Sequence, residues 1–463
     1  MSNWMWQLRP VLFSNQCFLV PRSFSNQQSC PSADNGIPVL AIENMSRYLP
    51  SSIPSRSLLH RVAFAVLVAS IVGCTTKAEF SENAVFILKQ ERESREEFSQ
   101  QRHQDLADVL AGMFGTPDEP NVPKLGDVEV SKVLDATHLH VASGPVSSDE
   151  RGRARGLYRE HCAHCHGVTG DGAGPTASFL NPYPRDYRMG IFKFKSTPKG
   201  GKPTHEDLID VLTNGIPGTA MPSFKVLPNN EIEALISYVR YLSIRGEVER
   251  SLVFLATSEL GADERLFDVT AARDVRSGQA SLIREYAAEV VQKWVNAESQ
   301  ATPIEPPDPD RDLVASIKHG RELFYGPIAN CVKCHGDSAL GDGQQTDYDD
   351  WTKELEPTNE EALEQFLALG GFVLPPRNIH PRNLRQGVYR GGRRPIDLFR
   401  RVHNGIDGTP MPGSLIIPDD APAGTKGLTK SDLWSLVDYV RNLPSESISR
   451  PPVIEQAYQR ERL

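Results

Sequence analysis

Two short stretches of the chain concentrate side chains that readily bind metals. EHCAHCHG, at residues 160–167, holds two cysteines and three histidines, and ANCVKCHG, at residues 329–336, holds two cysteines and one histidine. Both keep the order Cys-x-x-Cys-His, whereas His161 and His164 of the first stretch have no counterpart in the second. The shared chemistry therefore belongs to the cysteine pairs and to the histidine that follows each pair.

The order Cys-x-x-Cys-His is typical of covalent attachment of a c-type haem. The thioether cysteines and the iron-ligating histidines would be Cys162, Cys165 and His166 in the first stretch, and Cys331, Cys334 and His335 in the second. On a helix these positions fall on one face. Zinc is the alternative, because it also binds cysteine and histidine, but the second stretch has Asn330 and Lys333 where the first has its extra histidines. A thioredoxin-like pair is disfavoured, because no strand-helix-strand pattern surrounds either motif.

The two stretches belong to the two copies of an internal repeat. Three later segments match in the same order: PRDYRMGIFK with PRNLRQGVYR, NGIPGTAMPSF with NGIDGTPMPGS, and EIEALISYVRYLS with SDLWSLVDYVRNLP. Four ordered matches indicate a duplicated domain. The second copy carries an insertion near 344–371, for which we expect a surface loop or a small added helix.

The repeat supplies one methionine per copy at matching positions, Met221 and Met411. A six-coordinate haem iron needs a ligand opposite the histidine, and both methionines lie in glycine-containing loops that allow close backbone approach. The sequence therefore predicts His/Met ligation, which gives a higher reduction potential than two histidines. The alternative is a methionine that fills a gap in the core. The nearest spare histidines, His205 and His403, do not match each other in the repeat.

Helices are predicted before both cysteine pairs, in DERGRARGLYREHCAHC and in PDPDRDLVASIKHGRELFYG. Each contains one glycine that we expect at a close helix contact, Gly156 against Tyr238 and Gly320 against Tyr439. A glycine within a helix costs about 1 kcal/mol relative to alanine, and a close contact would be the reason to keep it; the alternative is that both glycines are neutral.

The segment HRVAFAVLVASIVGC resembles a bacterial lipoprotein signal. Its apolar stretch is too short to span a bilayer, follows basic residues and ends in small residues before Cys74. We expect Cys74 to be lipidated, and residues 1–73 to comprise a signal peptide and an over-called extension before Met45. The alternative is a buried helix with a chance cysteine.

Composition narrows the function further. The formal net charge of −9 argues against a nucleic-acid partner, which is usually bound by a basic surface. Of the seven cysteines, only four lie beyond Cys74, and they form the two tight pairs. Four cysteines so arranged make a poor disulfide framework for a chain of this length.

At these motifs the sequence resembles the class I cytochrome c family, twice over, as in membrane-anchored bacterial dihaem cytochromes. The resemblance implies an all-α fold with two cytochrome c-like helical domains, at 147–247 and 311–446, joined by a helical connector at 248–310. The remainder would be a lipid-anchored helical or extended arm at 74–146 and a C-terminal tail at 447–463.

The resemblance also implies two covalently attached haem c groups and one-electron transfer, with no catalytic acid, base or nucleophile. In the family a proline carbonyl often orients the haem histidine. Pro175 matches that position for His166, whereas Gln344 stands there in the second copy. Arg185 and Arg382, matched in the repeat, either pair with haem propionates or are solvated, and both possibilities stay open.

The favoured function is a non-catalytic electron carrier, exported and lipid-anchored on the periplasmic side of a bacterial membrane. Its partner would be a membrane respiratory complex, either a terminal oxidase or a quinol-oxidising complex, or another cytochrome. A dihaem peroxidase is the first alternative, but it needs an open iron position, and both copies keep a methionine. A haem-based sensor is the second, but such proteins usually carry an output domain.

Overall fold

The computed structural model describes five segments of the chain: 77–261, 263–354, 360–369, 373–422 and 424–449. The predicted signal peptide, the lipidation site at Cys74 and most of the C-terminal tail lie outside these segments. Within the described segments, no helix is long and apolar enough to cross a membrane.

The described chain is mainly helical, in agreement with the predicted all-α fold. In chain order the helices are α1 (Ala84–Ser94), α2 (Gln100–Phe114), α3 (Ala136–Ala142), α4 (Leu157–His161), α5 (Ala163–His166), α6 (His205–Asn214), α7 (Asn229–Ser258), α8 (Arg273–Val295), α9 (Leu313–Tyr325), α10 (Val332–His335), α11 (Asp350–Lys353), α12 (Glu360–Ala368), α13 (Pro395–Asn404) and α14 (Lys430–Asn442). Side-chain caps fix several starts: Thr204 with Asp207 on α6 and Thr429 with Asp432 on α14 form capping boxes.

The helix predicted before the first cysteine pair is wrong in its first half. A β-hairpin of β1 (Ser147–Ser148) and β2 (Ala154–Arg155) lies there, followed by the short helix α4. The Asp149 carboxylate accepts hydrogen bonds from the backbone N–H groups of Arg151 and Arg153 and closes the hairpin loop. Gly156 then starts α4 with φ of 72°, which a helix interior does not allow.

Gly156 does not contact Tyr238 as predicted. A β-carbon on Gly156 would lie 2.8 Å from the backbone nitrogen of Val146, so this glycine lets the hairpin approach the start of α4. Tyr158, two residues later, packs against Tyr238 instead, with ring centroids 4.9 Å apart. The aromatic contact of the first copy is thus made by a side chain rather than through a glycine.

Helix α7 forms the spine of the first domain and runs past the predicted end of the repeat into the connector. It is buried on nearly all sides by α1, α2, α3, α6 and α8. Helices α1 and α2 come from the predicted arm and α8 from the connector, and their apolar residues join one hydrophobic core with the first domain. The arm is therefore packed against the first domain, and the helical connector is confirmed.

The second domain has its own core, around the crossing of α9 and α14. Gly320 of α9 lies at this crossing, as predicted: a β-carbon there would collide with the Ser435 carbonyl oxygen and lie 2.8 Å from Cβ of Tyr439. Helix α3 packs against α7 in the first domain and so takes the place that α9 has on α14.

The insertion of the second copy contains α11 and α12, in agreement with a small added helix. It also packs back onto the first half of the chain. Glu354 forms ion pairs with Arg250 of α7, at 2.7 Å, and with Lys89 of α1, at 3.7 Å. The Arg92 guanidinium donates to the Gln365 side chain at 3.0 Å. The insertion therefore links the two domains instead of forming a free surface loop.

Candidate functional site

The four cysteines of the repeated motifs are free thiols beside short helices. Cys162 precedes α5 and is 5% exposed, and Cys165 lies within this helix. Cys331 precedes α10, and Cys334 lies within it. Burial, with a smaller contribution from the neighbouring cysteine, raises the pKa of Cys162 to about 12. The Cys162 thiol is therefore protonated at neutral pH.

Each motif histidine is fixed through Nδ1 by a backbone carbonyl. His166 Nδ1 lies 2.9 Å from the Arg185 carbonyl oxygen, and His335 Nδ1 lies 3.2 Å from that of Arg382. Burial lowers the pKa of His166 to about 4 and also lowers that of His335. A neutral imidazole with a hydrogen-bonded Nδ1 leaves Nε2 free to ligate a metal.

The assignment of Pro175 as the carbonyl that orients His166 is wrong. Pro175 is exposed, whereas Arg185 comes from the PRDYRMGIFK segment, which packs against the histidine. Tyr187 of the same segment stacks on His166, with ring centroids 4.8 Å apart. Because Arg382 occupies the matching position of the second copy, the departure at Gln344 does not cost His335 its acceptor.

A cavity of about 640 Å³ opens beside the first motif, a volume typical of a cofactor pocket. Cys162, Cys165, His166 and Met221 all line it. The extra histidines, His161 and His164, also line the cavity. The structure thus brings the four predicted site residues of the first copy together around one space.

The two methionine loops have the same local structure. The Met221 N–H donates to Thr219 Oγ1 at 3.1 Å, and the Met411 N–H donates to Thr409 Oγ1 at 3.2 Å. In each loop the methionine carbonyl accepts from the residue five positions earlier. Gly215, with φ of 65°, precedes the first loop at a point where a β-carbon would collide with the backbone of Pro222. The repeated backbone geometry is what a common role for the two methionines requires.

Each methionine loop also packs against the other copy. A β-carbon on Gly218 would lie 3.1 Å from the Val388 side chain, and one on Gly408 would lie 3.3 Å from that of Ile191. Gly218 and Gly408 match in the repeat, as do Ile191 and Val388. The contact between the domains is therefore reciprocal and close to twofold-symmetric.

Three residues at this contact escape sequence reasoning. Trp351, from the insertion, lies under the Arg185 guanidinium at 3.5 Å from the ring centroid and also contacts Gly408. Lys193 and Arg390 end the matched PRDYRMGIFK and PRNLRQGVYR segments, and both line the first cavity. The basic residue that both segments share at their ends could have indicated Lys193 and Arg390 as site residues. Nothing in the repeat indicates Trp351.

The residues present fit a covalently attached haem better than zinc. The thiols are free and correctly spaced, the histidine has Nε2 free, and Met221 lines the same cavity. Buried side-chain nitrogens of Arg382 and Arg390, at this cavity, have no hydrogen-bond partner in the described structure. Among the described residues, no group of three or more Cys, His, Asp or Glu side chains is arranged to hold a metal ion alone. The fold and the site are thus those expected of a c-type haem protein.

Comparison with known proteins agrees with this class. The model of the cytochrome c family matches residues 152–243 and 317–444, which supports a cytochrome c-type protein with covalently bound haem c. No curated protein matches the chain. A solved structure, the reducing HAO-like protein complex of Kuenenia stuttgartiensis, is similar at 22% identity and a TM-score of 0.38, over 65% of this chain and 98% of that one.

Proposed function

We propose that this protein is an electron carrier with two haem c groups, one on each Cys-x-x-Cys-His motif. The observation that carries the proposal is the repetition of the whole site: free thiols, a histidine held by a carbonyl, and a methionine loop with the same hydrogen bonds. Bound haem would supply a one-electron couple, its iron cycling between Fe(III) and Fe(II) as one electron enters and one leaves.

The chain's own residues would attach the haem, ligate its iron and shield it from water. The cysteines would hold the haem through thioether bonds, each S–H adding across a vinyl group so that a C–S bond forms and the hydrogen passes to the vinyl carbon. His166 and His335 would ligate the iron through Nε2, because a carbonyl holds Nδ1. Met221 and Met411 would supply the second protein ligand of each iron. An iron with both ligands would lack the open position that a peroxidase needs, which favours electron carriage.

The proposal also includes the cellular location of the protein and its redox partners. The protein is exported and anchored through a lipid on Cys74, on the periplasmic side of a bacterial membrane. There it exchanges electrons with a terminal oxidase, a quinol-oxidising complex or another cytochrome. The signal-like sequence before Cys74 supports this location. The Cys74→Ala protein should move from the membrane fraction to the soluble fraction, and an unchanged distribution would count against the anchor.

The number of haems tests the proposed function. The pyridine haemochrome spectrum of protein made with a c-type maturation system should give two haems per chain. The Cys331→Ala, Cys334→Ala double variant should give one, and His164→Ala, which alters a residue outside the repeated pattern, should still give two. One haem in the unaltered protein, or zinc in its elemental analysis, contradicts the proposal.

A further inference from the structure

Part of the wall of the first cavity comes from the second domain. Arg382 and Arg390 line this cavity together with Cys162, His166 and Met221. Arg382 Nη2 lies 3.1 Å from the position of a β-carbon on Gly218, which places the guanidinium against the first methionine loop. The second copy thus extends two arginines towards the haem site of the first.

These two arginines lack the partners that buried guanidinium groups require. The Nε atoms of Arg382 and Arg390 are buried and have no hydrogen-bond partner in the described structure. Arg382 Nη2 reaches only the Val388 carbonyl oxygen, at 3.4 Å. Burial lowers the pKa of Arg390, and repulsion from Arg382 lowers it further. The pair is therefore a concentration of positive charge without a compensating anion.

The carboxylates that line the cavity already have partners within the protein. Asp186 pairs with Arg188 at 2.8 Å and Asp349 with Lys193 at 3.4 Å, Glu354 pairs with Arg250, and Asp171 accepts hydrogen bonds from Thr169 Oγ1 and the Ala173 N–H. None of the ion pairs within the described residues includes Arg382 or Arg390. This leaves a ligand of the cavity to supply the compensating anion.

Burying an unpaired charge is costly, and guanidinium groups bind carboxylates through two parallel hydrogen bonds. Haem carries two propionate carboxylates. We propose that Arg382 and Arg390 bind the propionates of the haem attached at Cys162 and Cys165, so that the second domain completes the first haem pocket. The inference rests on the proposed function only in requiring haem at the first motif.

Arg382 then connects the two haem sites. Its carbonyl oxygen accepts from His335 Nδ1 of the second site, and its side chain faces the first. Arg185, its counterpart, also lines the first cavity, but its guanidinium stacks on Trp351. The proposal therefore assigns propionate binding to Arg382, whose guanidinium has no such partner.

The test is a redox titration of the full-length Arg382→Gln, Arg390→Gln double variant. Cations near the haem stabilise the reduced, less positive iron, so their loss should lower the first midpoint potential. A tenfold change in the reduction equilibrium corresponds to 59 mV for one electron, and we expect a shift of about that size. Two further variants identify which midpoint potential belongs to the first haem. This potential should be absent from the Cys162→Ala, Cys165→Ala double variant and altered in Met221→Ala.

The pH dependence separates charge pairing from a structural effect. Without the guanidinium groups the propionate pKa rises, so the first midpoint should fall with increasing pH across the neutral range, where the unaltered protein gives a flatter profile. Arg382→Lys, Arg390→Lys should recover part of the shift. Arg385→Gln is the matched control, because Arg385 lies in the same segment but pairs with Glu446; it should leave the first midpoint unchanged.

Two results would overturn the proposal: an unchanged first midpoint and pH profile in the double Gln variant, or the same shift in Arg385→Gln. The haem count is measured on the same samples. A count below two in the unaltered protein refutes the proposed function, whereas a count of two with an unmoved midpoint refutes only the arginine assignment.

Discussion

The two copies share their predicted ligands but differ in how these residues are enclosed. In the first domain, Cys162 and His166 are only 5% and 8% exposed, and residues of the arm and of the insertion line the same cavity. Their counterparts, Cys331 and His335, are half-buried. Burial and nearby cations disfavour the more positive oxidised iron. One set of ligands therefore gives two different environments, and we expect the first haem to have the higher potential.

The enclosing elements also break the symmetry of the contact between domains. Arg185 and Lys193 of the first copy meet Trp351 and Asp349 of the insertion. The matched Arg382 and Arg390 lack such partners. The two copies thus carry matching pairs of cationic residues, and only the first pair contacts a carboxylate and an aromatic ring of the insertion.

Removal of the methionines should give the largest change. Met221→Ala and Met411→Ala should each abolish one low-spin Met-ligated signal and lower one midpoint potential, because the thioether ligand favours the reduced iron. Optical spectra and redox titration of both variants separate the two sites. If either variant keeps both signals and both potentials, that methionine only fills the core.

Alanine substitution at the α9–α14 crossing of the second domain should destabilise the protein, whereas the same substitution at an open helix position should not. Gly320→Ala should lower the free energy of unfolding by about 3 kcal/mol, because the added methyl group collides with the α14 backbone. Gly112→Ala on α2, where a β-carbon meets no atom within 4 Å, should change stability by about 1 kcal/mol or less, in the stabilising direction. Equal denaturant midpoints for the two variants would contradict the close crossing.

Replacement of Trp351 should have the smallest effect and should act on both sites, because its ring contacts Gly408 beside the second methionine loop and also lines the first cavity. Trp351→Ala admits water at both places and should slightly lower both midpoint potentials. Trp351→Phe, which keeps an aromatic ring, is the control and should lower them less. Unchanged midpoint potentials in Trp351→Ala, or equal shifts in the two variants, would contradict this expectation.

The cysteine, histidine and methionine ligands stay predictions, but the structure places Cys162, Cys165, His166 and Met221 around one cavity, as the spacing required for haem attachment leads one to expect. The repeat also identifies the methionine loops, the helical connector and the glycine contact at Gly320. Other features of the site cannot be predicted from the type of residue at a position. Any residue can supply a backbone carbonyl, so the acceptor for His166 falls at Arg185 instead of Pro175.

Tertiary context decides the remaining differences. Near Gly156 the apolar spacing is compatible with a helix, but the positive φ of this residue and the approach of the hairpin determine the fold there. The packing of the insertion against Arg250 and Lys89 is equally hidden, because it depends on contacts far apart in the chain.

The central claim is that one chain holds two haems with the same ligands in unequal environments. A redox titration of the intact protein, followed in the visible spectrum, tests it most directly. The account predicts two one-electron transitions of equal amplitude, the higher of which is lost with Cys162 and Cys165. A single transition with the amplitude of one haem, or a higher potential for the haem at Cys331 and Cys334, would contradict it.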